Sequence, residues 1–308
     1  MEIWIPITIA AAFLQNLRSI LQKHLKGRLS TMGATFSRFI FAVPVALTVL
    51  AMLHFRFEYA IPTPTSGFIG FGIIAALAQI GATFLLVYLF GLRNFAVGTT
   101  FSKTAVIQAA IIGFLVLNDR ISMLAIFAIM VSTIGVVVMS SLQGIRKGLL
   151  SRAALTGLAC GALFGISAVG YRAASLSLES GDFLIRGATL LAYTTAFQTA
   201  VMLVYLAVVE TGQITKVLKS WRISALVGLV GALASLGWFT AMTLQNAAYV
   251  KALAQVELLF TIAASWLIFK EKISKREAAG IALVVSGILI LVLARWATPS
   301  RIAAAYPE

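Results

Sequence analysis

The sequence has few charged residues, and acidic residues are the scarcest of them. Only 11% of its 308 residues are charged, and 10 Asp and Glu stand against 24 Lys and Arg. Soluble domains carry about 25% charged residues, so a chain surrounded by water on all sides is excluded. Since 60% of the residues are hydrophobic, most of the surface must face lipid.

Cysteine and histidine are almost missing. The single cysteine, Cys160, lies in an apolar run and cannot form a disulfide within the chain. Besides it there are only His24 and His54, without the spacing of metal ligands, so we expect no metal site and no cofactor. Paired acids and a glycine-rich phosphate-binding loop are also lacking, so we expect neither an enzyme nor an ATP-driven pump.

The net charge of +14 would suggest a nucleic-acid partner in a soluble protein. Here no basic domain stands outside the apolar runs. We therefore attribute the charge to loops that face anionic lipid headgroups, and we expect no nucleic-acid partner.

Long apolar runs make up most of the chain. A helix needs about 20 apolar residues to cross a bilayer, and helices are the default because lipid satisfies no backbone hydrogen bond. The first run lacks a basic leading segment, so we interpret it as retained rather than cleaved. The sequence predicts an all-α integral membrane protein with ten transmembrane helices. They are expected at residues 4–22, 32–53, 66–90, 97–117, 122–141, 152–174, 183–209, 221–244, 248–268 and 275–295.

The two halves of the chain resemble each other. Residues 119–122 (Asp-Arg-Ile-Ser) resemble residues 271–274 (Glu-Lys-Ile-Ser), and Gly135 matches Gly287 at the same spacing of 152 residues. Five helices per half would insert the second half upside down, which is the inverted-repeat plan of many secondary transporters. The predicted repeats cover residues 1–148 and 149–308, the second with a short C-terminal tail.

The second half resembles the EamA-type repeat of the drug/metabolite transporter superfamily. The resemblance rests on residues 255–257 (Gln-Val-Glu) and on the turn 270–274 (Lys-Glu-Lys-Ile-Ser), whose Glu271 follows Glu257 by fourteen residues. Leu258 replaces the usual proline, and the first repeat is a looser match with Ala105 at the acidic position. The resemblance implies ten helices and transport of a small molecule, but no particular substrate.

The charge distribution and the resemblance disagree on orientation. Apart from Arg18, Arg38, Lys103 and Lys251, 20 Lys and Arg remain, and 14 of them lie in the loops or at helix ends on the side opposite the termini. The positive-inside rule then places both termini outside, whereas the family usually has them in the cytoplasm. We expect a multi-pass protein of a bacterial-type inner or plasma membrane.

Ionisable groups inside the predicted helices are candidate site residues, because each is costly in lipid unless it is paired or hydrated. Arg18, on one helical stripe with Gln15, lies at about the same depth as Arg38 and Lys103. Three such cations predict a mouth that binds a carboxylate or phosphate. The alternatives are snorkelling of Arg18 and structural bonding of the other two. Lys251 lies about three residues from a helix end and is expected to snorkel.

Glu257 lies within the ninth predicted helix and allows two interpretations. It is either a proton-coupling carboxylate or the permanent counter-ion of a cation such as Lys103. Gln255 takes the position of Lys103 in the second repeat. The other candidate substrate-binding residues are Gln79, Tyr193 and Trp238, whose aromatic members would either stack on a substrate or pack in the core.

The favoured function is secondary transport of a small metabolite by alternating access. The more specific hypothesis is export of a carboxylate-bearing solute such as an amino acid. The alternative is proton-coupled export of organic cations or drugs, which the excess of intramembrane cations disfavours.

Gly157, Gly161 and Gly165 would let another helix approach closely. That helix would belong either to the same monomer or to a second copy in a weak homodimer.

Overall fold

The computed structural model describes residues 2–92, 101–139, 152–260, 263 and 274–296. Helices and short connections account for all of these residues, and none of them lies in a strand. We number the helices along the chain. They are α1 (Trp4–Leu25), α2 (Thr31–Ile40), α3 (Ala42–Phe57), α4 (Ser66–Leu89), α5 (Ala105–Leu117), α6 (Met123–Met139), α7 (Arg152–Leu176), α8 (Phe183–Val208), α9 (Gln213–Lys219), α10 (Trp221–Leu244), α11 (Ala247–Leu253) and α12 (Lys275–Trp296).

Six helical spans among the described residues are long and apolar enough to cross a membrane. They are α1, the continuous span of α2 and α3, α4, α7, α8 and α10, while α5, α6 and α12 contain shorter apolar stretches. The prediction of an all-helical membrane protein is confirmed. The count of ten helices stays a prediction, because residues 97–100, 140–141, 261–262 and 264–268 of the expected spans lie outside the described residues.

Polar side chains at the helix starts bind the free amides of the first turn. Ser30 accepts from the amide of Gly33 before α2, and Thr65 accepts from that of Phe68 before α4. Asp182 accepts from two amides at the start of α8, both at 3.0 Å. Such caps satisfy backbone donors that would otherwise be unpaired in an apolar surrounding.

The second span bends at Phe41, between α2 and α3. Pro44 causes this break, because it has no amide hydrogen to donate to the carbonyl of Ile40. A Cβ atom at Gly228 would overlap the backbone of Phe41, so only glycine allows α10 to pack this closely on the bend. The close approach brings the side chain of Arg38, near the end of α2, against α10.

The helices α1 and α10 pack side by side in opposite directions. Gly231 of α10 lies beside Arg18, whereas Gly237, further along α10, lies beside Ala11. The start of α1 and the end of α10 therefore share one end of the bundle, which we call the amino-terminal end. The connection between α7 and α8 lies at this end too, where Thr65 donates to the carbonyl of Ser177 at 2.9 Å.

Gly135 and Gly287, which correspond at the spacing of 152 residues, lie in the contact between α6 and α12. A Cβ at Gly135 would meet the backbone at positions 280 and 284, and a Cβ at Gly287 would meet the backbone at positions 128 and 132. These positions correspond to each other at the spacing of 152 that relates the glycines. The contact is thus reciprocal, as a local two-fold axis between α6 and α12 would produce.

We predict that Gly287→Ala destabilises the protein by about 1–3 kcal/mol, because its Cβ would lie within 2.8 Å of backbone atoms of α6 that cannot move aside. Thermal unfolding in detergent measures this effect. The matched control is Gly70→Ala in α4, where a Cβ meets no atom within 4 Å. This variant should be neutral or slightly stabilised, and an equal loss in both variants would contradict the close α6–α12 contact.

Candidate functional site

A cavity of about 200 Å³ lies between α1, α4, α5, α7, α10 and α11. It is smaller than the ~300–1,000 Å³ of pockets for drug-sized ligands, so it suits a small solute. Apolar residues of α4, α5 and α7 form part of the wall. The polar lining residues are Gln15, Ser19, Ser102, Lys103, Lys251, Gln255 and Glu257, and the aromatic ones are Phe90, Phe164 and Trp238.

Two helical spans are interrupted where they reach this cavity. After α11 ends at Leu253, the amides of Gln255 and Glu257 bond to carbonyls three residues back, at 3.2 and 3.0 Å. Lys103 lies in a second interruption just before α5, where the amide of Thr104 also bonds three residues back, at 3.1 Å. Interrupted helices at mid-membrane depth are a common way to build transporter binding sites.

Glycines of α7 allow the interruption at Lys103 to pack closely. A Cβ at Gly161 would lie 3.1 Å from the carbonyl oxygen of Ser102, and one at Gly165 would lie 3.2 Å from the amide of Ala109. Gly161 and Gly165, two of the three glycines expected to allow a close helix approach, therefore face α5 of the same chain. Cys160 beside them is fully buried, and its thiol donates to the carbonyl of Ala82 at 3.3 Å.

An ion pair crosses the cavity from Lys103 to Glu257, with 3.0 Å between Nζ and Oε2. The side-chain amide nitrogen of Gln15 donates to the same carboxylate oxygen at 3.5 Å. The indole of Trp238 donates to the side-chain oxygen of Gln15 at 3.0 Å. Four of the predicted site residues are thus brought together in one chain of contacts. The contact of Lys103 with Glu257 is the one expected of a counter-ion.

Lys251 also lines the cavity. Its ammonium lies over the rings of Phe164 and Trp238, 5.4 and 5.5 Å from their centroids. Within the described part of the chain it forms no ion pair. Lys251 was expected to snorkel; instead it faces the cavity, whose wall also contains Gln255, which is only 2% exposed.

Arg18 and Arg38 lie behind the cavity rather than in its wall, and both are buried. Arg38 donates to the hydroxyls of Thr83 at 2.8 Å and Ser235 at 3.3 Å. Arg18 donates to Gln22 at 3.1 Å, so the snorkelling expected as its alternative is wrong. The structure does not bring the three predicted cations to one surface; of the three, Lys103 alone lines the cavity.

The remaining two candidates, Gln79 and Tyr193, lie away from the cavity. The side-chain oxygen of Gln79 accepts hydrogen bonds from Tyr171 at 2.8 Å and Gln198 at 2.9 Å, which ties α4 to α7 and α8. Tyr193 packs against Phe68, with 5.1 Å between the ring centroids. Both residues therefore stabilise helix packing in this conformation.

Arg172 was not among the predicted site residues, although it lies in α7 and is buried. Its guanidinium donates to Asp119 at 3.1 and 3.4 Å, to the carbonyls of Met242 and Gln245 at 2.7 and 2.9 Å, and to Asn246 at 3.1 Å. This network joins the ends of α5, α7 and α10 at the amino-terminal end of the bundle. Arg172 lies inside the sixth predicted helix, so the rule that selected Arg18, an ionisable group within a predicted helix, could also have selected Arg172.

A second cavity, of about 750 Å³, lies between α5 and α6. Its walls are mainly exposed apolar side chains such as Ile111, Phe114 and Leu115. Such a surface is expected where helices face lipid.

Comparison with known proteins identifies the class of this molecule. Residues 151–293 match the model of the EamA-like transporter family. This match, to a family of the drug/metabolite transporter superfamily, confirms the resemblance over these residues. The match suggests a membrane transporter of the drug/metabolite type.

Solved structures share the fold. In total, 28 chains match. One crystal structure, described only as that of a protein, superposes with a TM-score of 0.74 over 97% of this chain and 98% of its own, at 13% sequence identity. At this identity the likeness shows the fold alone. No curated protein matches the chain.

We predict that Lys103 and Glu257 stabilise the protein as a pair. Lys103→Met or Glu257→Gln alone should each cost about 1–3 kcal/mol. This is less than for a fully buried pair, because the side chains are 27% and 14% exposed. The double variant should cost less than the sum of the two, with a coupling of about 0.5–3 kcal/mol in thermal unfolding. Additive losses would show that the ion pair does not form.

Proposed function

We propose that this protein is a secondary transporter of a small carboxylate-bearing metabolite, such as an amino acid. The observation that carries the proposal is the excess of positive charge at the cavity. Lys103 and Lys251 line it and Arg18 and Arg38 lie behind it, whereas Glu257 is the sole acid among the described lining residues.

An anionic substrate would balance this charge. Glu257 is engaged by Lys103 at 3.0 Å, and the ammonium of Lys251 lies over two aromatic rings. Lys251 is close enough to feel the negative charge of Glu257 and the positive charges of Lys103, Arg38 and Arg18, so repelling charges outnumber the attracting one. Because like charges repel strongly where the dielectric constant is low, a carboxylate beside Lys251 would be bound favourably.

The alternative substrate, an organic cation exchanged for protons at Glu257, has weaker support. A cation would have to displace Lys103 from the carboxylate and approach the positive charge of Lys251. The volume of about 200 Å³ also disfavours bulky lipophilic drugs. We therefore keep the anionic or zwitterionic metabolite as the substrate, and export across a bacterial-type inner membrane as the transport process.

Alternating access between two inverted five-helix repeats is the mechanism that we propose. The reciprocal contacts of Gly135 and Gly287 support a two-fold relation of the halves. The Arg172 network lies beyond Lys251 toward the amino-terminal end, where it holds the ends of α5 and α10 together. Substrate passage through this end requires that the network open.

We predict that carboxylates stabilise the purified protein and that this depends on Lys251. At a concentration one hundred times its dissociation constant, a ligand of the folded state adds about 2.7 kcal/mol. Thermal unfolding across anionic, zwitterionic and cationic metabolites measures the effect. Lys251→Met should abolish it, whereas Lys219→Met on exposed α9 should not. Stabilisation by lipophilic cations alone, lost in Glu257→Gln, would instead support the alternative substrate.

We predict that Asp119→Asn opens the amino-terminal end. The variant removes the carboxylate that Arg172 binds, and a hydrogen bond to a charged group contributes about 1.5–3 kcal/mol. The cysteine of Ala248→Cys, at a position that is 3% exposed, should then react with a water-soluble maleimide about tenfold faster or more. The background is Cys160→Ala.

The control for this experiment is Ser180→Cys, at a position that is already exposed at the same end. Its labelling rate should be the same whether Asp119 is kept or replaced by asparagine. Unchanged labelling at position 248 in a folded Asp119→Asn protein would show that the network does not limit access.

A further inference from the structure

Gln255 has an unusual position among the residues of the cavity wall. It is 2% exposed, and neither Nε2 nor Oε1 has a hydrogen-bond partner among the described residues. A buried amide without partners is destabilising, and most buried polar side chains are hydrogen-bonded. Gln255 lines the cavity, and both amide atoms are buried, so a molecule bound there can supply both partners once the side chain turns toward it.

Lys251 lies four residues before Gln255 and both line the cavity, so the two side chains can act on one ligand. The rings of Phe164 and Trp238 flank the ammonium at 5.4 and 5.5 Å. Aromatic faces attract a cation without using its hydrogen-bond donors. The donors of Lys251 therefore stay available to an anion in the cavity.

The donors and acceptors of this pair define the chemistry of a ligand. The Lys251 ammonium and Nε2 of Gln255 both donate, and together they suit a carboxylate. Oε1 of Gln255 accepts, and it needs a donor close to that carboxylate. An unsubstituted carboxylic acid has no such donor, whereas a 2-amino or 2-hydroxy acid carries one on the adjacent carbon.

We propose that Lys251 and Gln255 form a two-part subsite, in which Lys251 binds the carboxylate and Gln255 selects substrates with a hydrogen-bond donor on the adjacent carbon. The proposal rests on the proposed function and adds its specificity-determining residue. At the corresponding position the first half of the chain carries Lys103, which is engaged by Glu257. Of these two corresponding residues, Gln255 therefore has an unpaired donor and an unpaired acceptor, whereas Lys103 is paired.

Three acids of one carbon skeleton test this proposal: butanoate, L-2-hydroxybutanoate and L-2-aminobutanoate. Their dissociation constants are measured by calorimetry on the full-length protein in detergent. The wild type should bind both substituted acids about tenfold more tightly than butanoate, as one additional hydrogen bond implies. Gln255→Met should reduce this ratio to about one, because loss of Nε2 weakens binding of all three carboxylates alike, whereas loss of Oε1 weakens only the two substituted acids.

Two further variants separate specificity from affinity. Lys251→Met should weaken binding of all three acids by a similar factor of about ten or more. Gln108→Met removes another partly unsatisfied amide, on α5 and outside the cavity wall, and should leave the ratio unchanged. If Gln255→Met does not fold, Gln255→Asn, which withdraws the amide by one methylene, should still lower the ratio.

The outcomes distinguish this proposal from the function on which it rests. If the wild type binds all three acids equally, or if the ratio survives in Gln255→Met, the role of Gln255 is overturned and carboxylate transport stands. If none of the acids binds, the proposed carboxylate substrate is overturned together with the subsite. A ratio lost in Gln255→Met and kept in Gln108→Met supports the subsite.

Discussion

The rest of the site depends on one constraint, the burial of several positive charges in a bundle that lies in lipid. Each cation solves this differently. Arg38 bonds to two hydroxyls, Arg18 to the amide of Gln22, and Lys103 to the carboxylate of Glu257. Lys251 lies beside two aromatic faces and forms no ion pair among the described residues. The cation with the weakest compensation is therefore the one best placed to bind an anion.

Small residues make this arrangement possible. The stems of Arg18 and Arg38 both pass Gly231, where a Cβ would lie 3.2 and 3.4 Å from them. Gly161 similarly accommodates the backbone beside Lys103. Without a side chain at these points the helices approach closely, as is common in membrane bundles. The same contacts thus determine helix packing and the positions of the charges.

The sequence predicts the helices well because apolar runs in lipid have few alternatives to the helix. It also led to the pairing of Lys103 with Glu257, since a buried acid needs a cation. It failed for Lys251, because hydropathy does not show that helical bonding is interrupted at residues 254–255. Depth along a helix also does not reveal the direction of a side chain, so Arg18 and Arg38 were wrongly expected at the mouth itself.

The proposed repeats share a backbone plan but differ in their chemistry. At corresponding positions, Lys103 and Ala105 in the first half stand against Gln255 and Glu257 in the second. The ion pair therefore joins two positions that the two-fold relation does not exchange, and both lie at interrupted helices. A movement of one half against the other would alter this contact directly. Because Gln255 and Lys251 lie on the same segment as Glu257, a ligand bound there would be coupled to the ion pair. Substrate binding and the relative position of the halves are thus linked through one short stretch of chain.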